Sequence, residues 1–159
     1  MDVKTLIKQL NLIRHPEGGY YRETFRSTQN IHTESHTVKS AGTVIYFLLE
    51  NEQKSHFHRI QSDETWYFHQ GSSIKIITII NEELHLFLLG NDIANNELPQ
   101  ITIPANTWFA AQIKSGKGYA LVSCSVAPGF EFNDFELAER KKMLDQYPHC
   151  EEAITYFTS

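Results

Sequence analysis

The chain has 159 residues, 41% of them hydrophobic, 12% aromatic and 21% charged, with a formal net charge of −5. A chain of this length buries roughly 70% of its unfolded surface, so it needs no disulfide or zinc staple, and a single domain over residues 1–159 is expected. Mild acidity without a basic cluster argues against a nucleic-acid partner, and no apolar run approaches the roughly 20 residues of a membrane span.

The opening MDVKTLIKQL carries charges among its apolar residues, unlike a secretion signal, so the expected compartment is the cytoplasm. Val3, Leu6, Ile7 and Leu10 recur at helical spacing, which predicts an amphipathic helix over about 2–12. Pro16 and the pair Gly18–Gly19 end it in a turn. From about residue 20 to 132 the pattern changes to short apolar runs, among them YYRETF, AGTVIYFLLE, SIKIITII, ELHLFLLG, TWFAAQI and GYALVSCSV, broken by NEQK, NEE, GND, PAN and SGKG. Many short strands at regular spacing predict an all-β sandwich or barrel. After it, Phe135, Leu137, Ala138, Met143 and Leu144 fall at helical spacing, with Asn133 or Asp134 as N-cap, and a second helix follows Pro148, so C-terminal helices are predicted over about 134–157.

Chemistry concentrates in SHFHRIQSDETWYFHQG, residues 55–71. Strand alternation puts His56 and His58 on one face, the polar segment Arg59–Asp63 reverses the chain, and Glu64 returns beside the histidines with Trp66 and Phe68 as an apolar wall. Either these three polar groups are ordinary surface residues or they converge on a divalent metal. Two imidazoles and a carboxylate with open coordination positions suit Fe, Mn, Ni or Zn. The strand Tyr20–Arg26 places Tyr20, Arg22, Thr24 and Arg26 on one face, where two arginines either grip a carboxylate or phosphate or face solvent. The residues expected to line a substrate site are Tyr20, Arg22, Arg26, Trp66, Phe68, Trp108 and Phe109. Tyr67 and His69 point the other way, and His15 is more simply a turn residue than part of a pocket rim. Cys124 reads as an inert buried thiol, and no G-x-S-x-G elbow activates a serine.

The stretch from His56 to Gly71 resembles the first cupin motif, H-x-H, a short gap, E, six residues, G, with a gap one residue longer than usual. HPEGGYYRETFRS, SDETWYFHQG, IPANTWFAA and APGFEFNDFELA resemble a small, largely uncharacterised cupin subfamily, and the likeness spans most of the chain. It implies a jelly-roll, double-stranded β-helix fold with short helices at the two ends, commonly a homodimer, and His56, His58 and Glu64 as ligands. Two positions depart from the pattern: Glu50 replaces a glycine, and Phe109 replaces the usual histidine after Pro104-x-Asn106, so the fourth metal ligand is missing. The leading expectation is a small-molecule-binding cupin acting as a metal-dependent enzyme through His56, His58 and Glu64. One alternative is a metal-free nucleotide-sugar epimerase or isomerase, with His56 or His58 as base and Arg22 or Arg26 on the diphosphate. The other is a non-catalytic ligand-binding module.

Overall fold

The short apolar runs become strands, as their β-branched and aromatic content favours. The computed structural model describes residues 2–33 and 37–159. In chain order these form α1 (Val3–Gln9), β1 (Ile13–Arg14), β2 (Tyr20–Arg26), β3 (Asn30–His32), β4 (Val38–Ser40), β5 (Thr43–Glu50), β6 (Lys54–Arg59) and β7 (Asp63–Gly71). There follow β8 (Ile74–Ile80), β9 (Glu83–Leu89), β10 (Gln100–Ile103), β11 (Trp108–Ile113), β12 (Tyr119–Ala127), β13 (Glu136–Leu137), α2 (Arg140–Gln146) and α3 (Glu151–Phe157).

One sheet has the order β1-β2-β5-β12-β7-β10 and the other β13-β6-β11-β8-β9, while β3 and β4 pair separately. Within both sheets neighbouring strands run antiparallel. Alternate residues of the two sheets meet in a shared core that includes Phe47, Leu49, Trp66, Ile76, Phe109 and Val122. This is the expected all-β jelly-roll sandwich. The helices cover outer faces. Leu6 of α1 packs with Leu12, Leu48 and Leu121, and Asp2 caps the helix by accepting from the Thr5 N–H at 2.7 Å. Met143, Ile154 and Phe157 of α2 and α3 cover Phe57, Ile79 and Trp108. No helix among the described residues is long and apolar enough to cross a membrane.

The backbone departs from the sequence expectation in four places. The first C-terminal helix begins at Arg140, with Glu139 and not Asn133 or Asp134 before it. Glu136 and Leu137 instead pair with β6 as an edge strand, because tertiary pairing outweighs a short helical period. Second, β6 and β7 are not hairpin partners. The Arg59–Asp63 turn carries the chain from one sheet to the other, so His58 and Glu64 meet across the sandwich.

The remaining two departures are β-bulges, each inserting one unpaired residue that reverses which side chains face inward beyond it. On β2, Glu23 pairs with Ile45 and Phe25 with Val44, leaving Thr24 extra. Tyr21, Glu23 and Arg26 therefore face the interior, while Phe25 is exposed. On β6, His58 pairs with Phe109 and Ser55 with Ala111, three steps against two. Ser55 and His58 turn inward, and Phe57 is buried on the outer side against Phe157, ring centroids 5.9 Å apart.

Candidate functional site

At one end of the sandwich the two sheets leave a cavity of about 290 Å³. Its deep wall holds Glu17, His58 and Glu64, with exposures of 5%, 1% and 7%. Aromatic rings of Tyr21, Phe47, Trp66, Phe130, Phe132 and Phe135 line much of the rest, and Glu23, Arg26 and Glu131 stand among them.

Glu17 is delivered by a turn. The N–H of Gly18 donates to the His15 carbonyl at 3.1 Å, and the bulged stretch of β6 leaves the His56 N–H free to donate to the Glu17 carbonyl at 2.8 Å. Gly18 has φ +111°, and a Cβ there would lie 2.0 Å from the Lys54 carbonyl oxygen, so only glycine lets the turn seat against β6. The Glu17 carboxylate then accepts from Ser55 Oγ at 2.8 Å and from His58 Nε2 at 3.0 Å. His58 Nδ1 donates to the His56 carbonyl at 2.7 Å. Both ring nitrogens of His58 thus face acceptors, which is the pattern of an imidazolium. Burial by itself would lower the proton affinity of His58, but the charge and hydrogen bond of Glu17, helped by Glu64, outweigh it and the pKa is raised. Burial would likewise raise Glu17, and the His58 and His15 charges with the two hydrogen bonds bring it below its ordinary value instead.

Glu64 lies in a different environment. It accepts from Trp66 Nε1–H at 3.0 Å, and burial pushes its pKa up to about 7, with His58 pulling downward and the Glu17 charge pushing further up. Cys124, also on the cavity wall, has its thiol pushed up by burial and by the Glu64 and Glu17 charges, so it is no thiolate nucleophile. His15 accepts the Glu17 N–H at Nδ1, 3.2 Å away, and burial lowers its pKa, outweighing the Glu17 charge that raises it. At the cavity edge Arg26 donates to Glu23 at 2.9 and 2.8 Å, to Glu131 at 2.8 Å and to the Phe130 carbonyl at 2.9 Å.

Of the expected ligand set, His58 and Glu64 reach the cavity and His56 does not. The β6 bulge turns His56 to a shallow groove beside Lys54 and Tyr156, where Nδ1 contacts the Glu17 carbonyl at 2.9 Å. His58 has both nitrogens engaged, and among the described residues no three His, Cys, Asp or Glu side chains form a group able to hold a metal ion. The set His56, His58, Glu64 therefore does not fit a resident metal, and no step is built on one. Of the expected substrate contacts, Arg26 and Trp66 line the cavity. Tyr20 packs on the outer face under Arg14, 4.2 Å from the ring centroid, and Arg22 lies over Tyr46 at 5.7 Å, also outside. Trp108 faces α2 and α3, with Arg59 4.5 Å from its ring centroid. Phe68 packs against the inter-sheet core, and the Phe109 ring lies 4.2 Å from that of His58, tilted by 56°, supporting the imidazole from the place where a fourth ligand was expected. Tyr67, hydrogen-bonded to Ser125, and His69 point away, as alternation required.

Glu17 escaped the sequence reading. Its only local signal is an acid between Pro16 and a glycine pair, two residues after His15 in the HPEGG turn.

Residues 4–138 match the family described as Cupin superfamily (DUF985). The uncharacterised protein YML079W of Saccharomyces cerevisiae is 27% identical over 147 residues, 84% of this chain and 73% of the yeast protein. A hypothetical protein from Leishmania major is 34% identical with a TM-score of 0.94, covering 99% of both chains. Protein SO0799 from Shewanella oneidensis is 38% identical with a TM-score of 0.91, covering 100% of this chain and 98% of that one. Oxalate decarboxylase from Bacillus subtilis shares the fold at 14% identity and a TM-score of 0.58, over 91% of this chain and 36% of the enzyme. With the family matched over most of its length, on a jelly-roll sandwich with a cavity between its sheets, the chain belongs to the cupin superfamily, in the DUF985 family.

Proposed function

We propose that this cupin binds a compact small molecule in the inter-sheet cavity and moves a proton on it without a metal, as an isomerase or epimerase does. The observation that carries this reading is a pair of buried carboxylates in one cavity with unlike partners: Glu17 is held by Ser55 Oγ and the His58 imidazolium, which favour its charge, and Glu64 by the Trp66 N–H, with burial pushing its pKa up to about 7. Such a split separates a permanently charged partner from a group that exchanges a proton near neutrality. Glu64 takes or gives the proton. The His58–Glu17 pair supplies fixed charge beside it, and Phe109 holds the imidazole in place.

A nucleotide sugar is disfavoured. Arg22 lies on the outer face, and Arg26 already bonds two carboxylates, so among the described residues no free cation awaits a diphosphate at the cavity. At about 290 Å³ the space suits a ligand smaller than most drug-sized molecules.

The test is solvent exchange. Purified protein is incubated in heavy water with a panel of small hydroxy-carbonyl compounds, with and without amine groups, and carbon-bound deuterium is read by NMR. Deuterium should enter at a carbon next to a carbonyl, and Glu64→Gln should abolish it. Exchange that survives in Glu64→Gln, or no exchange across the panel, ends the proton-transfer reading. Metal content is measured on the same preparations. A stoichiometric ion that is lost in both His58→Ala and Glu64→Gln would restore the metal-dependent reading; Mn(II) centres belong to the fold neighbour oxalate decarboxylase from Bacillus subtilis.

A further inference from the structure

Among the described residues four carboxylates line the cavity, Glu17, Glu23, Glu64 and Glu131, against two cationic side chains, His58 and Arg26. His58 is spent on Glu17, and Arg26 is shared between Glu23 and Glu131. Glu64, buried and reached by the Trp66 N–H, is left without a cation in direct contact. Six aromatic side chains, Tyr21, Phe47, Trp66, Phe130, Phe132 and Phe135, line the same space. Ring faces and one carboxylate are the combination that attracts an organic cation. A primary ammonium needs three acceptors, whereas a quaternary one has no N–H and needs none, and is satisfied by rings and a nearby negative charge.

We propose that the ligand of this cavity is a compact quaternary ammonium, seated among the aromatic rings with Glu64 as its counter-ion. The inference rests on the reading of the cavity as a small-molecule site and adds the ligand's charge class. It requires no new contact from Arg26, whose bonds to Glu23, Glu131 and the Phe130 carbonyl hold the aromatic segment 130–135 over the cavity.

The experiment compares choline with 3,3-dimethyl-1-butanol, which has the same shape and no charge, by calorimetry on the full chain. Choline should bind saturably and at least tenfold more tightly than the alcohol. Saturation should shift the Trp66 indole N–H resonance, which reports on Glu64 directly. Glu64→Gln should remove most of the tenfold preference. Phe132, at 52% exposure, can be changed without disturbing the core, so Phe132→Leu should weaken choline several-fold and leave the alcohol little changed. The proposal is overturned if the alcohol binds as tightly as choline or if choline does not bind saturably. Alcohol binding with choline excluded removes the cation class and leaves the small-molecule cavity standing. Loss of deuterium exchange with choline still bound removes the proton-transfer reading and leaves the cation class.

Discussion

Glu17 and Glu64 are the same kind of side chain on the wall of one cavity, yet their partners separate them. Glu17 has a hydroxyl and an imidazolium within hydrogen-bond reach, whereas among the described residues Glu64 has only the Trp66 indole N–H and the Cys124 thiol, with the Glu17 charge opposing its ionisation. Hydrogen bonds and opposite charge favour the ionised form, and bare burial favours the neutral one. It follows that His58 depends on Glu17 for its proton. In Glu17→Gln the imidazole should titrate at lower pH than in the parent, since the opposing charge is gone and burial remains. A histidine titration followed by NMR checks this, and an unmoved His58 would mean that Glu17 is not its charge partner in solution.

Among the strands, alternation located the inward residues correctly on β7, where Glu64 and Trp66 share a face, and failed on β2 and β6. The failures have a common cause. A bulge leaves no mark in composition, because it arises where a strand must fit a neighbour and a turn at once. On β6 the fit is to Phe157 on the outside and to the Glu17 turn on the inside, and neither contact can be read from SHFHR alone. Two substitutions probe this arrangement. Phe57→Ala removes a fully buried ring beneath the C-terminal helices and should destabilise the protein by about 3–5 kcal/mol in urea unfolding. Gly18→Ala forces a Cβ against the Lys54 carbonyl at a positive φ and should cost about 1–3 kcal/mol. A Gly18→Ala protein as stable as the parent would show that the turn does not sit tightly on β6. Asn106, by contrast, was legible from its type: it takes φ +61° in the Pro104-x-Asn106 turn, as an asparagine standing for glycine should.

For the molecule as a whole, the buried charges set how stability varies with pH. Glu64 holds its proton more tightly folded than unfolded, so its contribution is full below the ordinary value of 4.5 and is lost as pH rises through about 7. That loss is on the order of 3 kcal/mol. His58, raised from 6.5, contributes in the same sense, with stability present below 6.5 and lost as pH rises through its folded value. Glu17, lowered, contributes stability that is present above 4.5 and lost as pH falls through its folded value. Denaturant unfolding should therefore give a maximum in the mildly acidic range and a decline toward pH 8, and Glu64→Gln should flatten the part of that decline below about pH 7.5. A parent protein equally stable at pH 5.5 and 8 would contradict the burial of Glu64. The architecture itself was legible because it depends on many alternating runs, so local slips of phase, a third in β7 beside the two in β2 and β6, did not alter which sheets form. The cavity lining was not, because it depends on the slips in β2 and β6.

The extra residues in β2 and β6 carry a consequence for descent. A single codon gained or lost in either strand exchanges the whole set of side chains beyond it between interior and exterior while the ladder on both sides stays paired. Relatives that differ by such an indel can present unlike chemistry to their ligands at high overall similarity, and a lineage can cross between them in one genetic event where point changes would need several.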